Sequence, residues 1–199
     1  MTDHININLH GIMPQSRANG PGIRFVIWFQ GCTRNCPGCF NPKTHTHEAA
    51  LQMSVASICA QIAVRAASIE GVTISGGEPF EQPEALLELV RAVRASGELS
   101  ILVFSGYTVF EIARMPLGPS IMSSIDVLIA GPYNRSLHNG HHLLGSANQR
   151  VLFLTSRYCE ADIARVPESE VVLSADGTVH ATGVAPVRLQ SDPLKQPHP

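Results

Sequence analysis

The sequence predicts an α/β fold: an open, partial (β/α) barrel of about six mostly parallel strands, ending in a C-terminal β-hairpin. Three observations carry that expectation. Short runs rich in Val and Ile recur along the chain, helical periodicities lie between several of them, and 199 residues with 44% hydrophobic content suffice for one packed core.

The runs are residues 23–29, 72–75, 101–104, 127–130, 151–154 and 171–173, each short enough and apolar enough for a buried strand. Helical patterns fill residues 55–67 and 83–95. In the second, Pro83 suits the first helical position and Leu86, Leu87, Val90 and Val93 share a face. Strand alternating with helix implies a parallel sheet, and six strands are too few to close an eight-stranded barrel, so ligand sites are expected at the carboxyl ends of an open sheet. Residues 171–183, with Asp176-Gly177 between extended runs, read as the β-hairpin. One domain over residues 1–186 is expected to precede a flexible tail, residues 187–199, punctuated by Pro193, Pro197 and Pro199.

Lys and Arg total 14 against 16 Asp and Glu, a formal charge of -2, so no broad cationic field invites nucleic acid. No apolar stretch is long enough to span a bilayer, and the N-terminus lacks the pattern of a secretory signal. A cytoplasmic location follows as the expectation, and there five cysteines point to metal binding rather than disulfides.

Three of those cysteines cluster in Gly31-Cys32-Thr33-Arg34-Asn35-Cys36-Pro37-Gly38-Cys39-Phe40, directly after the first predicted strand. The spacing Cys-x3-Cys-x2-Cys places three thiolates in one loop. Each can reach a different iron of one cubane, leaving the fourth iron without a local protein ligand. The alternatives are a structural zinc site, with His45 or His47 completing a tetrahedron around the same thiolates, and an unmetallated cluster of buried thiols. Cys59 sits at core spacing on a predicted helix, and Cys159 has no partner in sequence.

After the second predicted strand comes Ser75-Gly76-Gly77-Glu78-Pro79. Glycines there allow positive φ and close backbone approach, and Glu78 adds an anionic group suited to a cationic amine. A plain strand-to-helix turn would use the same residues. Arg24 lies inside an apolar strand and needs polar partners. His138, His141 and His142 flank Asn139-Gly140 in a segment that reads as a solvated loop, with a substrate lid as the alternative.

The cysteine triplet after strand one and Gly-Gly-Glu-Pro after strand two together resemble the radical S-adenosylmethionine superfamily. Within it, Gly20-Pro21-Gly22-Ile23-Arg24-Phe25, Cys36-Pro37-Gly38-Cys39-Phe40-Asn41-Pro42, Ser105-Gly106-Tyr107-Thr108 and Gly145-Ser146-Ala147-Asn148-Gln149-Arg150 resemble the glycyl-radical-enzyme activases, above all the activating component of anaerobic ribonucleotide reductase. The resemblance implies a radical oxidoreductase with a 4Fe–4S cluster on Cys32, Cys36 and Cys39 and S-adenosylmethionine on its open iron. Gly76, Gly77 and Glu78 would line the methionyl end, Ser105 would meet the ribose and Phe40 the adenine. Reductive cleavage would give a 5′-deoxyadenosyl radical that abstracts hydrogen from a glycine of a partner glycyl-radical enzyme, fed by a reductant such as flavodoxin or ferredoxin. No side-chain acid or base is required.

Two positions depart from the reductase-activase pattern. Ala130 stands where that pattern is acidic, and Leu144 where it tends to be basic. Both changes bear on what receives the radical rather than on the cluster. Two alternatives stand beside the activase reading: a radical enzyme that modifies a small metabolite or peptide directly, and a non-catalytic zinc or iron–sulfur binding module.

Overall fold

The computed structural model describes residues 5–173 and 176–185. In chain order its strands and α-helices are β1 (Asn6–Ser16), β2 (Arg24–Phe29), β3 (Leu51–Ser54), α1 (Val55–Arg65), β4 (Gly71–Gly76), α2 (Pro83–Ala95), β5 (Ser100–Ser105), α3 (Val109–Ile112), α4 (Gly118–Met122), β6 (Val127–Ala130), β7 (His138–His141), β8 (Leu144–Ser146), β9 (Arg150–Phe153), α5 (Glu160–Ala164), β10 (Ser169–Leu173) and β11 (Val179–Gly183). The main sheet has seven strands in the order β3-β1-β2-β4-β5-β6-β9. Its centre, β2-β4-β5-β6, is parallel, and β1, β3 and β9 flank it antiparallel.

The α/β class, the parallel centre and the C-terminal hairpin agree with the sequence expectation, whereas the strand inventory differs. The predicted sixth strand, 171–173, belongs to the separate β10–β11 hairpin, and β9 returns antiparallel to β6. β1 and β3 were not expected. β1 carries its apolar side chains at period two, Ile7 and Leu9, but an irregularity between Leu9 and Gly11 breaks the alternation that a local pattern would show. The histidine segment expected as a loop forms β7 and β8, joined through left-handed His142 and Leu143.

The parallel strands are buried on both faces, which is why β2 reads Arg-Phe-Val-Ile-Trp-Phe without polar alternation. Phe25, Ile27, Phe29, Val72, Ile74, Ile101 and Val103 face α1 and α2 in the larger core. On the opposite face Leu102, Val127 and Ile129 pack with Leu143 and Ile163 in a smaller one. Helix α1 is capped by Ser54, whose side chain accepts from the Ser57 N–H. Helix α2 starts at Pro83 and buries Leu86, Leu87, Leu89, Val90 and Val93, as its periodicity requires.

Arg24, fully buried at the start of β2, donates to Thr73 Oγ1, Ser100 Oγ and the carbonyl oxygens of Val72, Ser100 and Pro21. It therefore bolts together the ends of β2, β4 and β5 opposite the cysteine loop. Among the described residues no helix is long and apolar enough to cross a membrane. The proline-punctuated tail expected over residues 187–199 lies outside the described residues.

Candidate functional site

The cysteine loop leaves the carboxyl end of β2 and is held at its root by backbone. Gly31 N–H donates to Thr44 O (2.8 Å) and Cys32 N–H to His45 O (3.1 Å), so the chain that follows the loop folds back beneath it. Gly31, Asn35 and Gly38 adopt φ of 102°, 43° and 77°, left-handed turns that Gly and Asn tolerate. These bends leave Cys32, Cys36 and Cys39 half-buried on one loop. Burial pushes the Cys32 and Cys39 thiols up, so their thiolates call for a bound cation, which a metal centre supplies.

The paired glycines dock directly on this root. Gly77 N–H donates to Phe29 O and Glu78 N–H to Gly31 O, each at 2.8 Å. A Cβ on Gly76 would stand 2.4 Å from Phe29 backbone, and one on Gly77 2.2 Å from Gly31 O. The first requirement for glycine here is thus close approach of the chain to itself. The Gly76-Gly77 turn and the cysteine loop form one packed unit.

Glu78 is 1% exposed. Its carboxylate accepts from Ser105 Oγ (2.9 Å), Gly106 N–H (2.6 Å) and Phe80 N–H (3.0 Å). Desolvation pushes its carboxyl up to about 7 against the pull of those three donors. The structure thus brings Glu78 and Ser105 together, tying the carboxyl ends of β4 and β5. Ser105 Oγ also accepts from the Tyr107 N–H.

Phe40 stands apart from that pair. It is 40% exposed, lies 4.8 Å from Tyr133 and 5.7 Å from His138 between ring centroids, and lines a cavity of about 790 Å³. A Cβ on Gly145 would come within 2.6 Å of its ring, so the glycine makes room for the aromatic. Trp28, Ser75 and Phe104, the residues just before the ends of β2, β4 and β5, line the same cavity. Gln149 fastens its rim, donating to Gly131 O and accepting from Gly145 N–H.

A further set of polar residues, of which the sequence singled out only His47 and that for zinc, anchors the spacer between Cys32 and Cys36. Thr33 donates through its N–H (2.9 Å) and Oγ1 (2.5 Å) to Glu81, and His47 Nε2 lies 2.9 Å from the other carboxylate oxygen. Burial works against the Glu81 carboxylate, yet these donors hold it below the usual range. Arg34 pairs with Glu111 at 3.1 Å and lies 4.8 Å over the Tyr107 ring. The only local signal was a second acid three residues after Glu78; its partners lie 34 and 48 residues away in sequence.

Among the described residues no three His, Cys, Asp or Glu side chains gather as a single metal ion requires. His47 is engaged by Glu81, and His45 Nε2 is buried without a hydrogen-bond partner among the described residues. Three thiols spaced along one loop suit a polynuclear cluster, in which each sulfur takes a different iron.

Comparison with known proteins agrees with that chemistry. Residues 18–152 match the family described as 4Fe-4S single cluster domain. A Haemophilus influenzae protein described as a glycyl-radical enzyme activating enzyme is 38% identical over 109 residues, 54% of this chain and 42% of that one. The anaerobic ribonucleoside-triphosphate reductase-activating protein of phage T4 is 30% identical over 150 residues, 73% of this chain and 93% of that one. Its Escherichia coli K12 counterpart is 29% identical, with 73% and 97% covered. The chain thus spans less than half of the Haemophilus relative and nearly all of the other two.

Proposed function

The chain belongs to the 4Fe-4S single cluster domain family and to the group of anaerobic ribonucleoside-triphosphate reductase-activating proteins, and from that membership we propose that it generates a glycyl radical on a partner enzyme. When bound, a reduced 4Fe–4S cluster and S-adenosylmethionine supply one-electron cleavage of the C5′–S bond, yielding methionine and a 5′-deoxyadenosyl radical that takes hydrogen from glycine. Everything else is positioning by this chain.

On this reading Cys32, Cys36 and Cys39 hold the cluster, and the turn of Gly76, Gly77 and Glu78 receives the methionyl end of S-adenosylmethionine. Glu78, whose buried carboxyl is raised to about 7 in the ligand-free protein, would ionise as the ammonium group approaches and favours its charged form, while Ser105 orients it from the neighbouring strand. Phe40 offers an aromatic face at the cavity, where the adenine would rest. The cavity walls of Trp28, Phe104 and Tyr133 keep water from the reacting atoms. The sheet is read as an open partial barrel around this cavity, within one domain over residues 1–186. The partner is a glycyl-radical enzyme, and the reductant a small protein of the flavodoxin or ferredoxin class.

The observation that carries the proposal is the packing of the cysteine loop against the Gly-Gly-Glu turn through Gly77 N–H to Phe29 O and Glu78 N–H to Gly31 O. That packing puts the metal ligands and the cofactor turn in one unit. Oxygen-free reconstitution with iron and sulfide, followed by dithionite and S-adenosylmethionine, should release 5′-deoxyadenosine. Mixing with the anaerobic ribonucleotide reductase of the same genome should then give a glycyl-radical EPR doublet. Retained zinc with no 5′-deoxyadenosine would refute the enzyme reading, and 5′-deoxyadenosine without the doublet would refute the activase reading.

A further inference from the structure

Two strand edges border the 790 Å³ cavity. β1 pairs with β3 only from Asn6 to Leu9, so past Leu9 its outer edge has no strand partner among the described residues, and residues 10–13 line the cavity. Among the described residues β11 pairs with β10 alone, and residues 179–185 line the same cavity without a break. Side chains of a strand alternate between its two faces. An uninterrupted run of lining residues therefore means that β11 presents its backbone edge to the cavity, with a row of N–H and C=O groups open to a new partner.

The space beside these edges is kept clear by small residues. A Cβ on Gly11 would have nothing within 4 Å, and Ala18, Ala181 and Gly183 stand on the wall. The hairpin is also fixed rather than adrift. Ser16 Oγ and Arg17 N–H both donate to Glu170 Oε2, at 2.7 and 2.9 Å, and Asn19 Nδ2 donates to Thr182 Oγ1 at 2.9 Å. The same open end of the hairpin is closed by Val184 N–H and Ala185 N–H on Glu168 O. Phe40 and Lys43, which follow the cysteine loop, line the same cavity, so a chain running along β11 passes beside the cluster loop.

We propose that this cavity takes an extended polypeptide segment as an added strand on the free edge of β11. The proposal rests on the activase reading and deepens it: the segment is the one that bears the target glycine, gripped by its backbone instead of its side chains. Backbone pairing suits a glycine, which offers no side chain to grip. The family match ends at residue 152 and the hairpin begins at Ser169, so this grip lies outside the family-matched segment and belongs to partner choice rather than to cofactor chemistry.

The test uses the reconstituted full chain with S-adenosylmethionine under argon. The probe is a fluorescent nonapeptide centred on the radical-forming glycine of the anaerobic ribonucleotide reductase from the same genome. Single N-methylation of the peptide backbone should weaken binding at least tenfold at every second residue and less than twofold at those between. Saturating peptide should slow amide exchange at the outward-facing N–H groups of β11, residues 179–183, at least tenfold. A flat methylation scan, unchanged exchange in β11, or no peptide binding by protein that still releases 5′-deoxyadenosine would each overturn the β11 proposal alone. Absence of 5′-deoxyadenosine from fully loaded protein would instead remove the radical reading on which it rests.

Discussion

Glu78 illustrates how one residue serves the fold and, on the proposed function, the site as well. Its carboxyl is raised from 4.5 to about 7 by burial, so the neutral form is favoured in the folded state. The associated stability is full below about pH 4.5 and is lost as pH rises through about 7. The loss is on the order of 3 kcal/mol for a shift of that size. Urea titrations of metal-free protein from pH 5 to 8 should show wild-type stability falling relative to Glu78→Gln; parallel curves would mean that the carboxyl is not buried as described. Glu81 acts in the opposite sense, as a charged acceptor for Thr33 and His47. In Glu81→Gln the cysteine loop loses a charge-assisted anchor, and iron should leave to a chelator at least threefold faster, with Glu81→Asp between the two. Equal release rates in all three proteins would exclude that anchoring. The contrast also shows what sequence discloses about a site. Cys32, Cys36, Cys39 and the Gly76-Gly77-Glu78 turn are legible because their spacing is local. Glu81 is not, because its role consists of contacts with Thr33 and His47 that only the closed sheet creates.

Among the elements, the parallel strands β2, β4, β5 and β6 were legible because strands buried on both faces leave unbroken apolar runs. Helix α2 was legible to the residue because Pro83 marks its start and its buried positions keep a helical period. The flanking strands were not. β1 bends at Gly11, and β3 is four residues of exposed or half-exposed edge, so neither carries a clean period. Arg24 explains how the parallel strands stay in register at the end away from the site. It is fully buried, burial depresses its pKa to about 10, and its partners are oxygens on β4, β5 and the loop before β2 together with the Tyr158 hydroxyl. Arg24→Met leaves the carbonyls of Pro21, Val72 and Ser100 without their donor, at about 1–3 kcal/mol for each buried group left unpaired. Chemical denaturation should show a loss of at least about 3 kcal/mol, with Arg24→Lys intermediate because one ammonium cannot replace a planar fork of donors. A loss under about 1 kcal/mol would mean that water reaches those carbonyls.

For the whole molecule, the consequence of this architecture is that one end of the sheet is tied by a buried cation and the other, on the proposed function, receives the cofactor. At the carboxyl end the connections are few and specific: Gly77 to Phe29 and Glu78 to Gly31 through backbone, and Glu78 to Ser105 and Gly106 through its side chain. A ligand lying across the cysteine loop, the β4 turn and the β5 turn would bind the folded chain alone, because the unfolded chain has no such convergence. Its binding energy then adds to stability by mass action, about 2.7 kcal/mol at a hundred times Kd. For a chain of 199 residues that amounts to about 5–10 °C in Tm. Oxygen-free calorimetry of the cluster-loaded protein, kept oxidised so that S-adenosylmethionine stays intact, should show that rise. In Cys36→Ser, which removes the middle of the three proposed sulfur ligands, the rise should vanish while the ligand-free fold remains cooperative. A rise of the same size in both proteins would mean that S-adenosylmethionine binds without the metal centre, and the coupling drawn between cysteine loop and glycine turn would be lost.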